Sequence, residues 1–311
     1  MPYPIEKKLV VGVSSNALFD LEIEDKIFEE QGVKKYREYQ IANKAKMLKK
    51  GVAFPFIKRF LNINNVYTSE QPVEVVLLSK NSPETGIRIF NSIKHYNLNI
   101  SRAAFLSGIS PYNYIPAYNI SLFLTTNKND ANLSIEAGYP AGIILKTKIE
   151  DDEEDLELRV AFDFDGVIAD DQAETVYQKT NDLEQFHEFE TKNILQPHNS
   201  GPLADFFKKL GYFQKLESKK FDKDNTYKKI LRTSIVTARN APSHERAINT
   251  LKKWDVTVDD MFLMGGIEKS RVLSVLKPHL FLDDQLTHLD VKLNLPLVHI
   301  PFGIINTVTK L

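Results

Sequence analysis

The stretch RVAFDFDGVIADD, residues 159–171, decides the fold of this chain. The apolar residues that precede Asp163 predict a buried β-strand, and Asp163 and Asp165 follow directly at its end. Carboxylates at the end of a buried strand lose hydration and repel each other, so positive charge must neutralise them. The stretch therefore predicts a strand followed by a site that holds a cation.

The composition limits what that site can serve. With 311 residues, of which 42% are hydrophobic, the chain can bury the cores of roughly two domains. A formal net charge of -1 gives no excess to attract nucleic acid or a membrane surface, so an anionic ligand needs a local site. The absence of cysteine excludes disulfides and thiolate chemistry. No apolar leader or membrane-length run occurs, and we expect a cytoplasmic protein.

Strand-like apolar runs alternate with helical patterns along the whole chain, which predicts an α/β fold with parallel sheets and crossover helices. The acidic run at residues 148–159 is typical of a solvated linker. The predicted strands of the first half are KLVVGVSS, VEVVLLS, AAFLSG, ISLFLTT and AGIILK, and those of the second half are LRVAFDFD, TSIVTAR, DMFLMGG, HLFLDDQ and LPLVHIPFG.

Two segments, which begin at Leu77 and Ile235, share one plan of helix, strand, Gly, helix and strand. Aligning their Asn-x-Pro triplets, which predict helix starts capped by Asn, places Lys80 opposite Arg239. We interpret the chain as two related Rossmann-like halves, 1–150 and 156–311, although chance similarity between two α/β units is the alternative. Helical insertions are predicted at about 21–61 and 172–230, and the second forms a cap.

Chemistry-bearing residues occur at the predicted strand ends of the second half only. Because the carboxyl ends of parallel strands meet at one crevice, residues far apart in sequence can converge there. The second half places Asp163, Asp165, Thr237, Lys269, Asp283 and Asp284 at these ends, whereas the first half has Val13, Ser15, Leu78 or Ser79, Pro111, Thr125 and Thr126.

Converging carboxylates favour a hard cation with oxygen ligands. We predict a Mg²⁺ site at Asp163, Asp283 and Asp284, with the main-chain carbonyl of Asp165. Lys269 and the Thr237 hydroxyl suit a phosphoryl group, and the helix start after Thr237 adds N–H donors from Ala238 and Arg239. The Arg239 side chain is a candidate phosphate ligand, with support of the helix start as an equal alternative.

The motifs DFDGV, VTAR, a single Lys and LDD, in this order, resemble the signature of the haloacid dehalogenase (HAD) superfamily of phosphohydrolases. The resemblance implies that Asp163 is a nucleophile that forms an aspartyl-phosphate and that Asp165 is the general acid and base. It also implies that Thr237 binds phosphoryl oxygens and that Lys269 balances their charge. Each half is then HAD-like, and the first is degenerate.

A closer resemblance covers nearly the whole chain. VGVSSNALFDLE, IFEEQGVKKYREYQ, VTARNAPSHERAINTLKKW and FLMGGIEKSRVL are similar to the cytosolic type I 5'-nucleotidases and their bacterial relatives. The resemblance implies Mg²⁺-dependent hydrolysis of nucleoside 5'-monophosphates. A phosphatase of sugar phosphates is the first alternative, and a receiver-like phosphorylation switch is the second. The sequence leaves homo-oligomer formation open.

Residues for the nucleoside are harder to predict. Phe186 and Phe189 in the cap could stack on a base, although aromatic residues at this spacing more often pack in a core. His187 lies between them. Ser15 and Asn16 of the first half are further candidates for the nucleoside pocket.

Overall fold

A computed structural model describes residues 3–307 and confirms the α/β fold class. The chain forms two compact units, Met1–Tyr139 and Pro140–Leu311. This boundary precedes the predicted one at 150–156 because the run AGIILK, expected in the first half, pairs with a strand of the second unit. None of the helices within residues 3–307 has the length and apolar character that crossing a bilayer requires.

The first unit has a parallel sheet in the order β6-β1-β4-β5. Short 3₁₀ turns lie at Ile5–Lys7, Tyr112–Tyr114 and Pro116–Tyr118. Its elements are β1 (Leu9–Val13), α1 (Ser15–Leu18), β2 (Phe19–Asp20), α2 (Glu22–Ala42), β3 (Lys49–Lys50), α3 (Phe54–Val66), β4 (Val73–Ser79), α4 (Pro83–His95), β5 (Arg102–Phe105), β6 (Ile120–Thr125) and α5 (Lys128–Glu136).

The second unit has strands in the order β10-β9-β8-β11-β12-β7, all parallel except β7, which is antiparallel to β12. A turn at Phe164–Ile168 and 3₁₀ turns at Leu286–His288 and Val291–Leu293 follow its strands. Its elements are β7 (Ala141–Ile144), β8 (Leu158–Phe162), α6 (Gln172–Thr180), α7 (Leu183–Lys192), α8 (Ala204–Lys223), β9 (Leu231–Thr237), α9 (His244–Lys253), β10 (Asp260–Leu263), α10 (Ser270–Leu276), β11 (Leu280–Asp283), β12 (Leu297–His299) and α11 (Ile304–Thr307).

The predicted cap interval contains two kinds of helix. Phe206 and Phe207 of α8 are fully buried and pack against Phe162 of β8, with ring centroids 6.2 and 5.2 Å away. Helix α8 is therefore a crossover helix that covers the sheet. The part of the interval that forms a separate helical hairpin is α6 and α7.

The two units repeat one strand order, β5-β4-β1-β6 and β10-β9-β8-β11. The loops after β4 and β9 also contain equivalent hydrogen bonds from a main-chain N–H to a side-chain hydroxyl. Asn81 N lies 3.1 Å from Ser79 Oγ, as Arg239 N lies 3.3 Å from Thr237 Oγ1. This match supports the predicted duplication, and it places Asn81, one residue beyond Lys80, opposite Arg239.

The predicted helix caps are wrong. Helix α4 begins at Pro83 after Ser82, as the Pro predicts, but α9 begins only at His244 after Ser243. The Asn81 side chain instead accepts a hydrogen bond from Tyr36. Neither N-cap residue, Ser82 of α4 or Ser243 of α9, makes a side-chain capping hydrogen bond.

Candidate active site

The predicted acidic, hydroxyl and lysine residues of the second unit converge. Strands β9, β8 and β11 are parallel neighbours, so their carboxyl ends lie at one edge of the sheet. Burial removes water from the site and strengthens each electrostatic interaction in it. The buried members are Asp163, Thr237, Lys269, Asp283 and Asp284.

Lys269 is the cation of the inner part of the site. Its Nζ lies 2.8 Å from Asp163 Oδ2 and 2.7 Å from Asp283 Oδ2. Burial opposes the charge of the ammonium, but the two carboxylates outweigh it and raise the pKa of Lys269. When all are ionised, the three carboxylates Asp163, Asp283 and Asp284 and the one ammonium carry a net charge of −2.

Burial and the excess negative charge raise the pKa values of two of the acids. Burial, with a smaller contribution from Asp283, raises the pKa of Asp163 to about 7 against the opposing effect of Lys269. Burial and the charges of Asp163 and Asp283 raise the pKa of Asp284 to about 10. Within residues 3–307, Asp284 Oδ1 is buried and has no hydrogen-bond partner. A divalent cation fits this site because it supplies the missing two charges and a partner for that oxygen.

The donor atoms indicate which acids can face such an ion. Asp163, Asp283 and His288 offer ligand atoms within 4.8 Å of one another. The oxygens of Asp283 are already engaged, however, by Lys269, by the Gln285 N–H at 2.8 Å and by His288 at 3.2 Å. Asp284 Oδ1 has no such partner among the described residues, and Asp283, which also binds Lys269, stays a predicted ligand.

Gly166 is the one turn residue whose lack of a side chain the site requires. Its φ is +70°, and a Cβ built there lies 2.4 Å from Asp284 Oδ2. The same turn orients Asp163, because Phe164 N donates to Asp163 Oδ1 at 2.7 Å. The sequence DFDGV therefore fixes the acid pair and leaves space for Asp284 beside it.

We expect Gly166→Ala to lower turnover at least roughly ten-fold and to weaken divalent-cation binding, because Asp284 must move away from the new methyl group. Gly138→Ala is the matched control, since its φ is +79° and nothing lies within 4 Å of its built Cβ among the described residues. Both variants carry left-handed strain of about 1–2 kcal/mol, so the difference between them measures the displacement of Asp284. Equal metal titrations for the two variants would contradict this reading.

An outer network lies beside the acid cluster. Arg239 forms a bidentate ion pair with Asp165, with Nη2 2.6 Å from Oδ1 and Nε 2.7 Å from Oδ2. It also donates a hydrogen bond to Glu190 of α7. Arg246 of α9 donates to the other Glu190 oxygen at 2.8 Å. These two acids and two arginines balance in charge, unlike the inner cluster. His198 Nε2 lies 3.4 Å from Glu190.

Electrostatics keeps the outer network ionised. Burial opposes the charge on Glu190, but His198 and Arg239 lower its pKa to about 2. Burial likewise disfavours a charged His198, but Asp170 and Glu190 raise its pKa above the usual value. Sequence reasoning missed Glu190, His198 and Arg246, because no motif marks them. Only Arg246 left a signal, a charged residue on the buried face of the amphipathic helix α9.

The remaining candidates take different positions. Phe186 is buried, and the Arg239 guanidinium lies 5.5 Å from its ring; Arg246 lies equally far from the Phe189 ring. Within the described chain, His187 Nδ1 is buried without a partner. A base-stacking role for these cap residues stays a prediction.

Ser15 and Asn16 lie in the first unit. Ser15 Oγ lies 3.1 Å from Ser79 Oγ, and Asn16 Nδ2 donates to Asp25 Oδ2 at 2.9 Å. The described hydrogen bonds of these side chains stay within that unit, and their role in a nucleoside pocket stays a prediction.

A parallel α/β sheet that presents the DxD acids, a Thr, a Lys and a final acid pair at adjacent strand ends defines a HAD-type site. The profile of the 5'-nucleotidase family matches residues 1–307. The chain therefore belongs to the 5'-nucleotidase family, which confirms the resemblance noted from the motifs.

Human cytosolic 5'-nucleotidase 1B is 33% identical to this chain over 297 residues, which are 93% of this chain and 48% of the human protein. The chain thus spans about half the length of the curated relative it matches. A solved structure titled S. aureus MnaA-UDP co-structure has 10% identity and a TM-score of 0.20, with 94% of this chain and 78% of that chain covered. That likeness is too weak to bear on the fold or the site.

Proposed function

We propose that this chain hydrolyses nucleoside 5'-monophosphates to nucleoside and inorganic phosphate. The observation that carries the proposal is the buried cluster of Asp163, Lys269 and the Asp283–Asp284 pair in a chain of the 5'-nucleotidase family. Its inner charge of −2 with all groups ionised and its hydroxyl and lysine donors fit a phosphoryl group bound together with a divalent cation.

In the first step, Asp163 Oδ attacks phosphorus and the bond from phosphorus to the 5'-oxygen breaks, which gives an aspartyl-phosphate. Asp165 gives a proton to the departing alkoxide oxygen, so the nucleoside leaves as an alcohol. Lys269, which is held between Asp163 and Asp283, and the Thr237 hydroxyl stabilise the charge on the phosphoryl oxygens.

In the second step, Asp165 takes a proton from a water molecule as the water oxygen attacks the aspartyl-phosphate. The bond between Asp163 and phosphorus breaks, and phosphate leaves. One residue thus serves as acid and then as base, which is typically worth about 10²–10⁴-fold in rate.

We assign the divalent cation as Mg²⁺, held by Asp163, by Asp284 and by the main-chain carbonyl of Asp165, with Asp283 as a further predicted ligand. When bound, it neutralises phosphoryl oxygens and leaves the Asp163 carboxylate ionised for attack.

The metal proposal predicts a pH dependence of stability. Asp163 and Asp284 have pKa values of about 7 and about 10, above the ~3.9 of an unfolded Asp, so the metal-free folded state binds more protons than the unfolded one. Their stabilising contribution is complete below about pH 4 and is lost as the pH rises through about 7 and about 10. Mg²⁺ should therefore raise the thermal midpoint more at about pH 8 than at about pH 5. KCl at matched ionic strength is the control, and equal shifts at both pH values would contradict the proposed site.

The function is tested by phosphate release from a panel of nucleoside 5'-monophosphates and sugar phosphates, with Mg²⁺ and with EDTA. The proposal expects Mg²⁺-dependent release from the nucleotides. Release from sugar phosphates alone would keep the phosphatase chemistry and overturn the nucleotidase assignment. A stable aspartyl-phosphate without turnover would instead indicate a phosphorylation switch. Cytoplasmic residence and homo-oligomer formation stay predictions.

A further inference from the structure

Arg239 is engaged within the protein rather than directed at a ligand. Four of the five N–H donors of its guanidinium have carboxylate or carbonyl acceptors. Two bind the oxygens of Asp165, one binds Glu190, and one binds the Ser243 carbonyl at 3.0 Å. The side chain is 2% exposed. This use of its donors argues against the phosphate-binding alternative and for a role through Asp165.

Glu190 holds Arg239 from the opposite side. It belongs to helix α7 of the helical hairpin, and it joins Arg239 to Arg246, whose Nε donates to the Gln196 carbonyl at 2.9 Å. The orientation of the Asp165 carboxylate is thus set by a rigid chain of charge-assisted hydrogen bonds. This series of hydrogen bonds begins at Arg246 on α9 and passes through Glu190 on α7 to Arg239.

The first unit contains a related framework with a different set of charges. Arg88 donates to the Lys46 carbonyl at 2.8 Å and to Gln40 Oε1 at 3.1 Å, as Arg246 does to Gln196 and Glu190. Arg88 also forms a buried ion pair with Glu24 at 2.6 Å, whereas Arg246 donates to the neutral Gln172 at 3.3 Å. The hydroxyls of Ser92 and Thr250 make matching bonds, to the Arg88 and Arg246 carbonyls at 2.9 and 2.8 Å. The arginine on the helix is therefore part of the framework that both units share.

Three further positions differ between the two frameworks. Gln40 replaces Glu190, Asn81 replaces Arg239, and Ser15 replaces Asp165. The first unit also has Val13 in place of the nucleophile Asp163. The fold therefore forms without the charged triplet, and the triplet occurs only in the unit that has the nucleophile.

We infer that Arg239 is a positioning residue that aims the Asp165 carboxyl at the reacting phosphoryl group, and that Glu190 positions Arg239. The inference rests on the proposed function. Nη2 binds Asp165 Oδ1 at 2.6 Å and Nε binds Asp165 Oδ2 at 2.7 Å, so Arg239 fixes the plane of the Asp165 carboxyl group.

The test is a rapid-quench comparison of Arg239→Asn and Glu190→Gln, which copy the residues of the first unit, with Arg239→Lys as a third variant. Substrates are a nucleoside 5'-monophosphate and p-nitrophenyl phosphate, whose leaving group departs without a proton. We expect kcat on the nucleotide to fall about 10²-fold or more for Arg239→Asn with little change in KM. With p-nitrophenyl phosphate, we expect a burst of p-nitrophenol and accumulation of phosphoenzyme, because only the water step still needs Asp165.

Arg88→Lys is the control for a change at a buried arginine of the first unit, where Arg88 is the equivalent of Arg246 and pairs with Glu24, and it should show no burst. A raised KM with unchanged kcat in the Arg239 variants would mean that Arg239 binds phosphate and would overturn the inference. If variants with a wild-type thermal midpoint lost both the burst and the turnover of p-nitrophenyl phosphate, that result would also overturn the inference. If Arg239→Asn fails to fold, Arg239→Lys and Glu190→Gln decide by the same readouts. Failure of the wild type on nucleotides, with activity on p-nitrophenyl phosphate, would instead count against the nucleotidase proposal.

Discussion

Asp163→Asn should lower phosphate release by roughly 10⁴-fold or more, the largest loss that we expect from any single substitution. An amide oxygen is a far weaker nucleophile than a carboxylate, so no covalent intermediate forms. The fold should persist, because Asn keeps an acceptor for the Phe164 N–H that now donates to Asp163 Oδ1. The substitution also removes one of the two uncompensated negative charges of the inner cluster. The metal-free thermal midpoint should therefore equal or exceed that of the wild type.

The measurement is single-turnover phosphate release together with trapping of the phosphoenzyme. Asp260→Asn is the control. Asp260 lies on β10 of the same unit, and its carboxylate is 2.8 Å from Arg232 Nε. This variant should keep wild-type turnover. If Asp163→Asn retained more than about 1% of the activity, direct attack by water would replace the covalent mechanism.

Lys269→Met should destabilise the protein as well as inactivate it. The ammonium neutralises Asp163 and Asp283 at 2.8 and 2.7 Å, and removing one partner of a buried ion pair costs about 3–5 kcal/mol. Turnover should fall roughly 10²–10³-fold, because the charge on the phosphoryl oxygens loses a donor. The free energy of unfolding, measured in urea, should recover as the pH falls and the carboxylates become protonated.

A second substitution separates the two effects of Lys269. Asp283→Asn in the Lys269→Met background removes one of the two carboxylates that have lost their ammonium, so it should restore part of the stability and none of the turnover. Lys252→Met, on the exposed face of α9, controls for the loss of a lysine and should change neither quantity. A wild-type free energy of unfolding for Lys269→Met would show that water or a cation already screens the acids.

The ten predicted strands and the acidic, hydroxyl and lysine residues of the inner cluster were all predictable, because each depends on local pattern. A buried strand is a short apolar run, and parallel strands bring their carboxyl ends together wherever the chain alternates strand and helix. The catalytic role of each inner residue stays a prediction. The assignments to Mg²⁺ and to the nucleoside stay proposals.

Local pattern did not predict pairings between distant elements. AGIILK is apolar like its neighbours, and only its antiparallel pairing with β12 assigns it to the second unit. The Asn-x-Pro match misaligned the repeat by one residue, because hydrogen bonds of the loops, rather than the prolines, define the equivalence of Asn81 and Arg239.

By itself, the sequence determined the fold class, the strand-end site and the family of this protein, since apolar periodicity and motif order are properties of short segments. Only the tertiary structure decided which charges meet. Glu190, Arg239 and Asp165 are far apart in the chain, and their buried network exists because α7, the loop after β9 and the turn after β8 pack together. The same packing leaves the inner acids with one ammonium for three carboxylates, which is the physical reason that the site calls for a divalent cation.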